Sequence, residues 1–242
     1  MDINKNCKLF LRDVYNYDIV SCHYTILENI GADLSSIPKD EKETRNIKIG
    51  LLMKGNPKLT HILRSVTNST ISEYILRNGL TEDEIILRQY DGIITTRPLK
   101  ETTDRYIPLE LRRIIQHMII SIDRDMYIAY DGNKTIVKGV PNSYEKMEEF
   151  YEKIVKINFL NKTGIFSAMQ RLKNEIITSD DPFLYAIPEN EHSYTIFMKK
   201  YGEIEISKPT IRLMDTNDID KVKYFDYYIK PFFKSITKEF LK

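Results

Sequence analysis

Two short runs of this sequence place a carboxylate where strand-forming residues surround it. In "YNYDIVSCHYTIL" (15–27), Asp18 closes an alternation of aromatic residues and precedes Val20, Ser21, Cys22 and His23. In "DEIILRQYDGIITT" (83–96), Asp91 stands beside Gly92 between two apolar runs, Ile85 to Leu87 and Ile93 to Thr96. Carboxylate oxygens suit a hard cation such as Mg²⁺. Two acids on two strands are the minimum for a pair of ions roughly 3.5–4 Å apart that activate a hydroxyl and stabilise a leaving pyrophosphate. Any two of the 35 acidic residues could be ordinary strand-end acids, so the order and composition of the surrounding segments must distinguish this pair.

The elements that would carry the acids follow from periodicity. "LFLRDVYNYDIV" alternates as a strand with Asp18 near its end, and "TILENIG" reads as a helix closed by Gly31. "ADLSSIPKD" has loop chemistry, and "EKETRNIKIGLLMKGNP" reads as a basic amphipathic helix stopped by Gly55 and Pro57. Leu59, Ile62, Leu63, Val66, Ile71, Ile75 and Leu76 recur at helical spacing up to Gly79. Around Asp91 the pattern is a β-hairpin with an acid at its tip, where Gly92 permits a sharp turn or a close approach. "LELRRIIQHMIISI" (109–122) is expected to be a helix, and "RDMYIAYDGNKTIVKG" two strands joined at Asp131-Gly132-Asn133. Three helices are expected beyond Pro141. The first carries Met147, Phe150, Tyr151, Ile154 and Ile157, with Asn142 and Glu145 as its capping pair. The second carries Ile165, Met169, Leu172 and Ile176. The last runs from about Asp220 with Val222, Phe225, Ile229, Phe232, Ile236 and Phe240 on one face and a kink at Pro231. A mixed α/β part of about 140 residues thus precedes a mainly helical remainder.

Composition sets the outer limits. With 242 residues and 42% hydrophobic content the chain can build a substantial core. Thirty-six basic against 35 acidic residues leave a net charge of +1, so a nucleic-acid partner must be met by a local basic surface. Cys7 and Cys22 are too few for a disulfide scaffold or a zinc site, which implies a reducing, cytoplasmic setting. No apolar run reaches the roughly 20 residues of a membrane span, and "MDINKNCKLF" lacks a signal peptide's long apolar stretch, so no membrane partner is expected.

Five segments, in order, resemble family B DNA polymerases. "DIVSCHYTIL" looks like the first catalytic motif, "RNIKIGLLMKG" like the fingers helix that faces the incoming phosphates, and "LRQYDGII" occupies the place of the Asp-Thr-Asp-Ser motif. "YIPLELRRIIQHMIISIDRDMYIAYDGNKTIVKGVP" is similar to the stretch that carries a Lys-x-Tyr element, and "YFDYYIKPFFKSITKEFL" to the closing thumb helix. The third motif departs from the family, with Gln89 for its first Asp and Tyr90 for its Thr; it also resembles the His-Asp-Glu motif of family A, with Tyr90 and Gly92 at the outer places. The intervals from Asp18 to Lys48 and to Asp91 are short for the family.

The resemblance implies an α+β fold: a polymerase-like palm with an antiparallel sheet and helices, reduced helical fingers and a mainly helical thumb. The palm would take residues 1–31 and 58–141, the fingers 32–57 and the thumb 142–242. It implies two Mg²⁺ ions, replaceable by Mn²⁺, held by Asp18, Asp91 and the carbonyl of Ile19. Main-chain N–H groups of Val20, Ser21 and Cys22 would meet the triphosphate where strand gives way to helix, with Ser21 also serving as an N-cap. His23 takes the place of the family's sugar-discriminating Tyr. Arg45 and Lys48, three apart on one helical face, would hold phosphates, with Lys54 as an alternate. Arg124, Tyr127, Lys138, Lys230 and Lys234 would contact DNA. The expected function is template-directed extension of a primer 3′ end with dNTPs, by the palm and thumb of a split or minimal, exonuclease-free polymerase. Such a chain would come from a virus or mobile element, act in the host cytoplasm and work with separate polymerase or exonuclease subunits. The alternative is a palm-like DNA-binding or scaffold subunit of a replication complex that has lost its chemistry.

Overall fold

The computed structural model describes residues 2–7, 10–104, 106–121, 125–138, 164–182, 185–188, 192–232 and 234. They form a mixed α+β structure with antiparallel sheets, divided into two units: residues 1–7 with 13–114, and 8–12 with 115–242. The expected helix at 142–160 lies outside the described residues, as do Ile236 and Phe240.

In the first unit the strands are β1 (Asp2–Ile3), β2 (Phe10–Ile19) from Asp13 onward, β3 (Ile85–Arg88), β4 (Gly92–Thr95) and the start of β5 (Leu109–Ser121). Their order is β1-β3-β4-β2-β5, with Asp2 opposite Arg88, Leu87 opposite Ile94 and Tyr17 opposite Ile93. The hairpin expected around Asp91 is the β3–β4 pair. Three helices accompany this sheet: α1 (Cys22–Asn29), α2 (Lys42–Gly55) and α3 (Pro57–Arg77). Pro57 occupies the first turn of α3, where a missing N–H costs nothing, and the Asn56 side chain accepts from the Leu59 N–H at 3.0 Å. The stripe that α3 buries is Leu63, Thr67, Ile71 and Tyr74, packed with Tyr17, Ile19, Ile26, Leu27 and Ile93. This differs from the expected face: Ile62 and Leu76 are exposed, and Thr67 and Tyr74 take the inner places. Their polar atoms are satisfied there. Thr67 donates to the Leu63 carbonyl, and the Tyr74 hydroxyl donates to the Ile107 carbonyl at 2.9 Å.

The helix expected over 109–122 is instead the strand β5. Leu, Glu and Arg at its start favour a helix in isolation. The β-branched run Ile114, Ile115, Ile119 and Ile120 favours a pleated surface, and pairing with a neighbouring strand on each side decides the outcome.

In the second unit β5 pairs with β6 (Met126–Tyr130), with Ile119 opposite Ile128, and β6 pairs with β7 (Thr135–Lys138). Their turn is as expected. The Asp131 carboxylate accepts from the N–H groups of Asn133 and Lys134, both at 3.0 Å, and Gly132 takes a positive φ of 93°. Helix α4 (Gly164–Thr178) buries Leu172 and Ile176 against Tyr185, Phe197, Tyr224 and Phe232. The described residues after α4 are less helical than expected. They include a second antiparallel sheet, β8 (Ile187–Pro188), β9 (Ser193–Met198) and β10 (Gly202–Ser207), in the order β10-β9-β8. The alternation of "SYTIFM" and "GEIEIS" across a turn at Gly202 was the signal for it. After a short helix α5 (Lys208–Ile211), helix α6 (Lys221–Tyr224) widens into a π turn over Phe225–Ile229, one turn before Pro231. Pro231 has no N–H to give and its ring crowds the preceding turn, which accounts for the irregularity there. Phe225, Ile229 and Phe232 are buried as expected, whereas Val222 is exposed and Tyr224 lies inside.

Candidate active site

Asp18 and Asp91 come together in the first unit. Asp18, at the end of β2, lies opposite Gly92, and the Ile19 N–H donates to the Asp91 carbonyl at 2.8 Å. The hairpin tip is thereby tied to the strand that carries Asp18. No side chain fits at position 92, because a Cβ there would overlap the Tyr17 carbonyl oxygen and lie 3.4 Å from Asp18 Oδ1. A glycine is what lets β4, and the Asp91 turn that precedes it, approach β2.

Both carboxylates line a cavity of about 580 Å³. Its other wall is one face of α2: Lys42, Arg45, Asn46, Ile49, Gly50 and Met53, spaced as a single helical stripe. Residues Ile19 to Tyr24, where strand gives way to α1, and Arg112 of β5 complete it. Burial pushes the Asp18 carboxyl above its ordinary value; the negative charge of Asp91 pushes it further, and the Arg112 guanidinium pulls it partly back. Two acids that repel each other in one cavity attract a cation.

The expected phosphate-binding residues divide. Arg45 faces the cavity, nine-tenths buried, donating to the Lys39 carbonyl and lying 5.9 Å from the centre of the Tyr24 ring. Lys48 does not face it. Its ammonium group donates to the Ser36 carbonyl, and it lines a separate apolar cavity with Ile37, Leu51 and Leu52. Lys42 and Lys48 are each three residues from Arg45 on opposite flanks, about 120° apart around the helix, and packing turns the Lys42 flank inward.

Of the three main-chain N–H groups expected to meet an anion, that of Val20 is already donated to the Pro108 carbonyl at 3.2 Å. Ser21 takes a left-handed conformation (φ 46°) and its side chain makes no capping bond, so it starts α1 by backbone geometry alone. Ile19 is buried and lines the same cavity. His23 Nε2 lies 3.1 Å from the Tyr90 hydroxyl, with the two rings edge to face. Burial holds the imidazole below its ordinary value, against the pull of Asp91. Behind this pair, Cys22 Sγ lies 3.3 Å from Thr67 Oγ1, and burial raises the thiol to about 11. Thr67, Lys42 and Arg112 were not singled out in the sequence, and Tyr90 only as a departure within its motif. Arg112 in particular was hidden by the helix reading of 109–122, yet its Nε lies 3.4 Å from Asp18 Oδ2.

The expected DNA contacts belong to the second unit. Arg124 lies outside the described residues. Tyr127 is buried on β6, opposite Lys138, which is exposed. Lys230 is half-exposed and pairs with Asp226 at 2.9 Å, and Lys234 is exposed. No group of three or more His, Cys, Asp or Glu side chains that could share a metal occurs among the described residues. No described helix is long and apolar enough to cross a membrane.

No family model matches the sequence, and no curated protein matches it. Among solved structures, the family B DNA polymerase from the hyperthermophilic archaeon Pyrobaculum calidifontis is similar at a TM-score of 0.48 and 10% identity. The similarity covers 98% of this chain and 46% of that one, so this chain spans less than half the length of that polymerase. At that level it lends no weight to the site, which stands on its own residues.

Proposed function

We propose that this chain is the palm-like catalytic portion of a template-directed nucleotidyltransferase that extends a primer 3′ end with dNTPs. One observation carries the reading: Asp18, near the end of β2, and Asp91, in the adjoining β3–β4 turn, share a cavity with Lys42 and Arg45 of α2. The two carboxylates are hard oxygen donors in mutual repulsion and fit Mg²⁺ or Mn²⁺, with substrate oxygens completing the shell. Bound there, the ions would supply activation of the 3′ hydroxyl and neutralisation of the leaving pyrophosphate. Arg45, fixed by its Lys39 contact, would orient the triphosphate by a planar fork, and Lys42 would add a point charge. His23, held by Tyr90, would bound the cavity beside Asp91 as a neutral surface. Rate enhancement would come from positioning and charge stabilisation, without a protein nucleophile. In this reading the chain works in the cytoplasm with separate polymerase or exonuclease subunits and holds primer-template through the lysines of the second unit.

A second reading, a palm-like DNA-binding or scaffold subunit without chemistry, is favoured by Arg112 against Asp18 and by Gln89 beside the hairpin tip. Primer extension with Mg²⁺ and Mn²⁺, using dNTPs and NTPs in parallel, separates the two. The first requires incorporation that Asp18→Ala or Asp91→Ala each abolishes with little change in melting temperature. Extension that survives either change refutes it, whereas a gel shift of primer-template with no incorporation by the unaltered chain establishes the second.

A further inference from the structure

Arg112 stands between two carboxylates of its own unit. Its Nε is 3.4 Å from Asp18 Oδ2, and its Nη1 is 3.4 Å from Glu110 Oε2. Glu110 and Arg112 are two apart on β5, so both side chains leave the same face of the strand. Both contacts are longer than the roughly 2.7–2.9 Å of a tight charge-assisted bond. The three side chains are 40, 34 and 55% exposed for Arg112, Asp18 and Glu110, so the guanidinium is shared rather than locked. A divalent cation on Asp18 would repel a guanidinium at this range, and Glu110 offers that guanidinium an alternative partner.

We propose, building on the assignment of Asp18 and Asp91 to a divalent cation, that Arg112 is a displaceable counter-ion. It neutralises Asp18 when no divalent ion is bound and passes to Glu110 when one arrives. The site therefore binds its metal more weakly than its carboxylates alone would allow, and Glu110 sets how much more weakly.

The test is Mn²⁺ binding to the full chain, followed by the electron paramagnetic resonance signal of free Mn²⁺, with melting temperatures recorded for every variant. Arg112→Gln is expected to tighten binding about five-fold, which corresponds to about 1 kcal/mol. Glu110→Gln is expected to weaken it about two- to three-fold while Arg112 is present, and to do much less in the Arg112→Gln background. That difference between backgrounds is the coupling a merely structural role would not produce. Binding that is unchanged or weaker in Arg112→Gln, or a Glu110→Gln effect equal in both backgrounds, overturns the proposal. Asp18→Asn separates the two levels. If it abolishes binding while Arg112→Gln changes nothing, only the role of Arg112 falls; if binding ignores Asp18→Asn, the metal assignment falls with it.

Discussion

Replacing Gly92 by Ala probes how the two acids are brought together. A Cβ at 92 would overlap the Tyr17 carbonyl oxygen and approach Asp18 Cα and Oδ1, each at 3.4 Å. The obstructing atom is backbone in a neighbouring strand, so no rotamer change relieves it, and β2 or β4 must move. Overpacking of this kind costs about 1–3 kcal/mol, and a backbone obstacle places it in the upper half of that range. For a chain of this size each kcal/mol is worth roughly 2–4 °C, so the first unit should melt about 4–12 °C lower. The shift also displaces the Asp18 carboxylate, and a misplacement of about 1 Å in a positioning-driven site costs on the order of 100-fold in rate. For stability, Gly50→Ala is the matched control. It lies inside α2 with nothing within 4 Å of its would-be Cβ, so the substitution should stabilise by about 0.5–1 kcal/mol through lost chain entropy. The assay is scanning calorimetry of the three proteins, with primer extension alongside. Gly92→Ala melting within a degree of the unaltered protein would refute the claim that strand spacing at 92 excludes a side chain.

Further expectations concern charge, polar burial and thiol chemistry. The Asp18 carboxyl is held above its ordinary 3.8, chiefly by burial and then by Asp91, so the folded chain binds that proton more tightly than the unfolded one. Stability is therefore lost as pH rises from near 3.8 through the folded value, and Asp18→Asn should gain on the unaltered protein between pH 4 and pH 7. With Asp18 about a third exposed the gain should stay below about 1 kcal/mol; a gain that shrinks with rising pH in denaturant titrations would contradict the repulsion. Asn78 is buried and joins α3 to the loop at 100–101: its Nδ2 donates to Tyr74 and Glu101 carbonyls, and its Oδ1 accepts from Lys100 and Glu101 N–H groups. Asn78→Ala strands those loop groups and should cost about 2–4 kcal/mol in urea unfolding, and a loss under about 1 kcal/mol would show the loop re-forms its bonds elsewhere. Cys22, buried with its thiol near 11, should be alkylated at pH 8 far more slowly than the partly exposed Cys7, as followed by peptide mass spectrometry. Equal rates would show that Cys22 is not enclosed behind α3.

The local pieces of the candidate site were legible in the sequence because their signals are short-range. Alternation places Asp18 near the end of β2, the Tyr-Asp-Gly tip between two β-branched runs makes the β3–β4 hairpin, and spacing with Gly55 and Pro57 bounds α2. Gly92 was readable as a close approach, although not what it approaches. Tertiary structure decided the rest. "LELRRIIQHMIISI" carries residues suited to helix and to strand, and only flanking strands make it β5, which brings Arg112 to Asp18. Lys42 and Lys48 flank Arg45 symmetrically along the sequence, and only the packing of α2 turns one into the cavity and the other away. Thr67 and Tyr90 gain their roles from partners 45 and 67 positions distant in the chain. Residue type and local period determine which chemistry this chain can offer. Which of those groups meet depends on non-local burial and strand pairing, because a side chain's neighbours across a sheet or cavity leave no trace in its own segment.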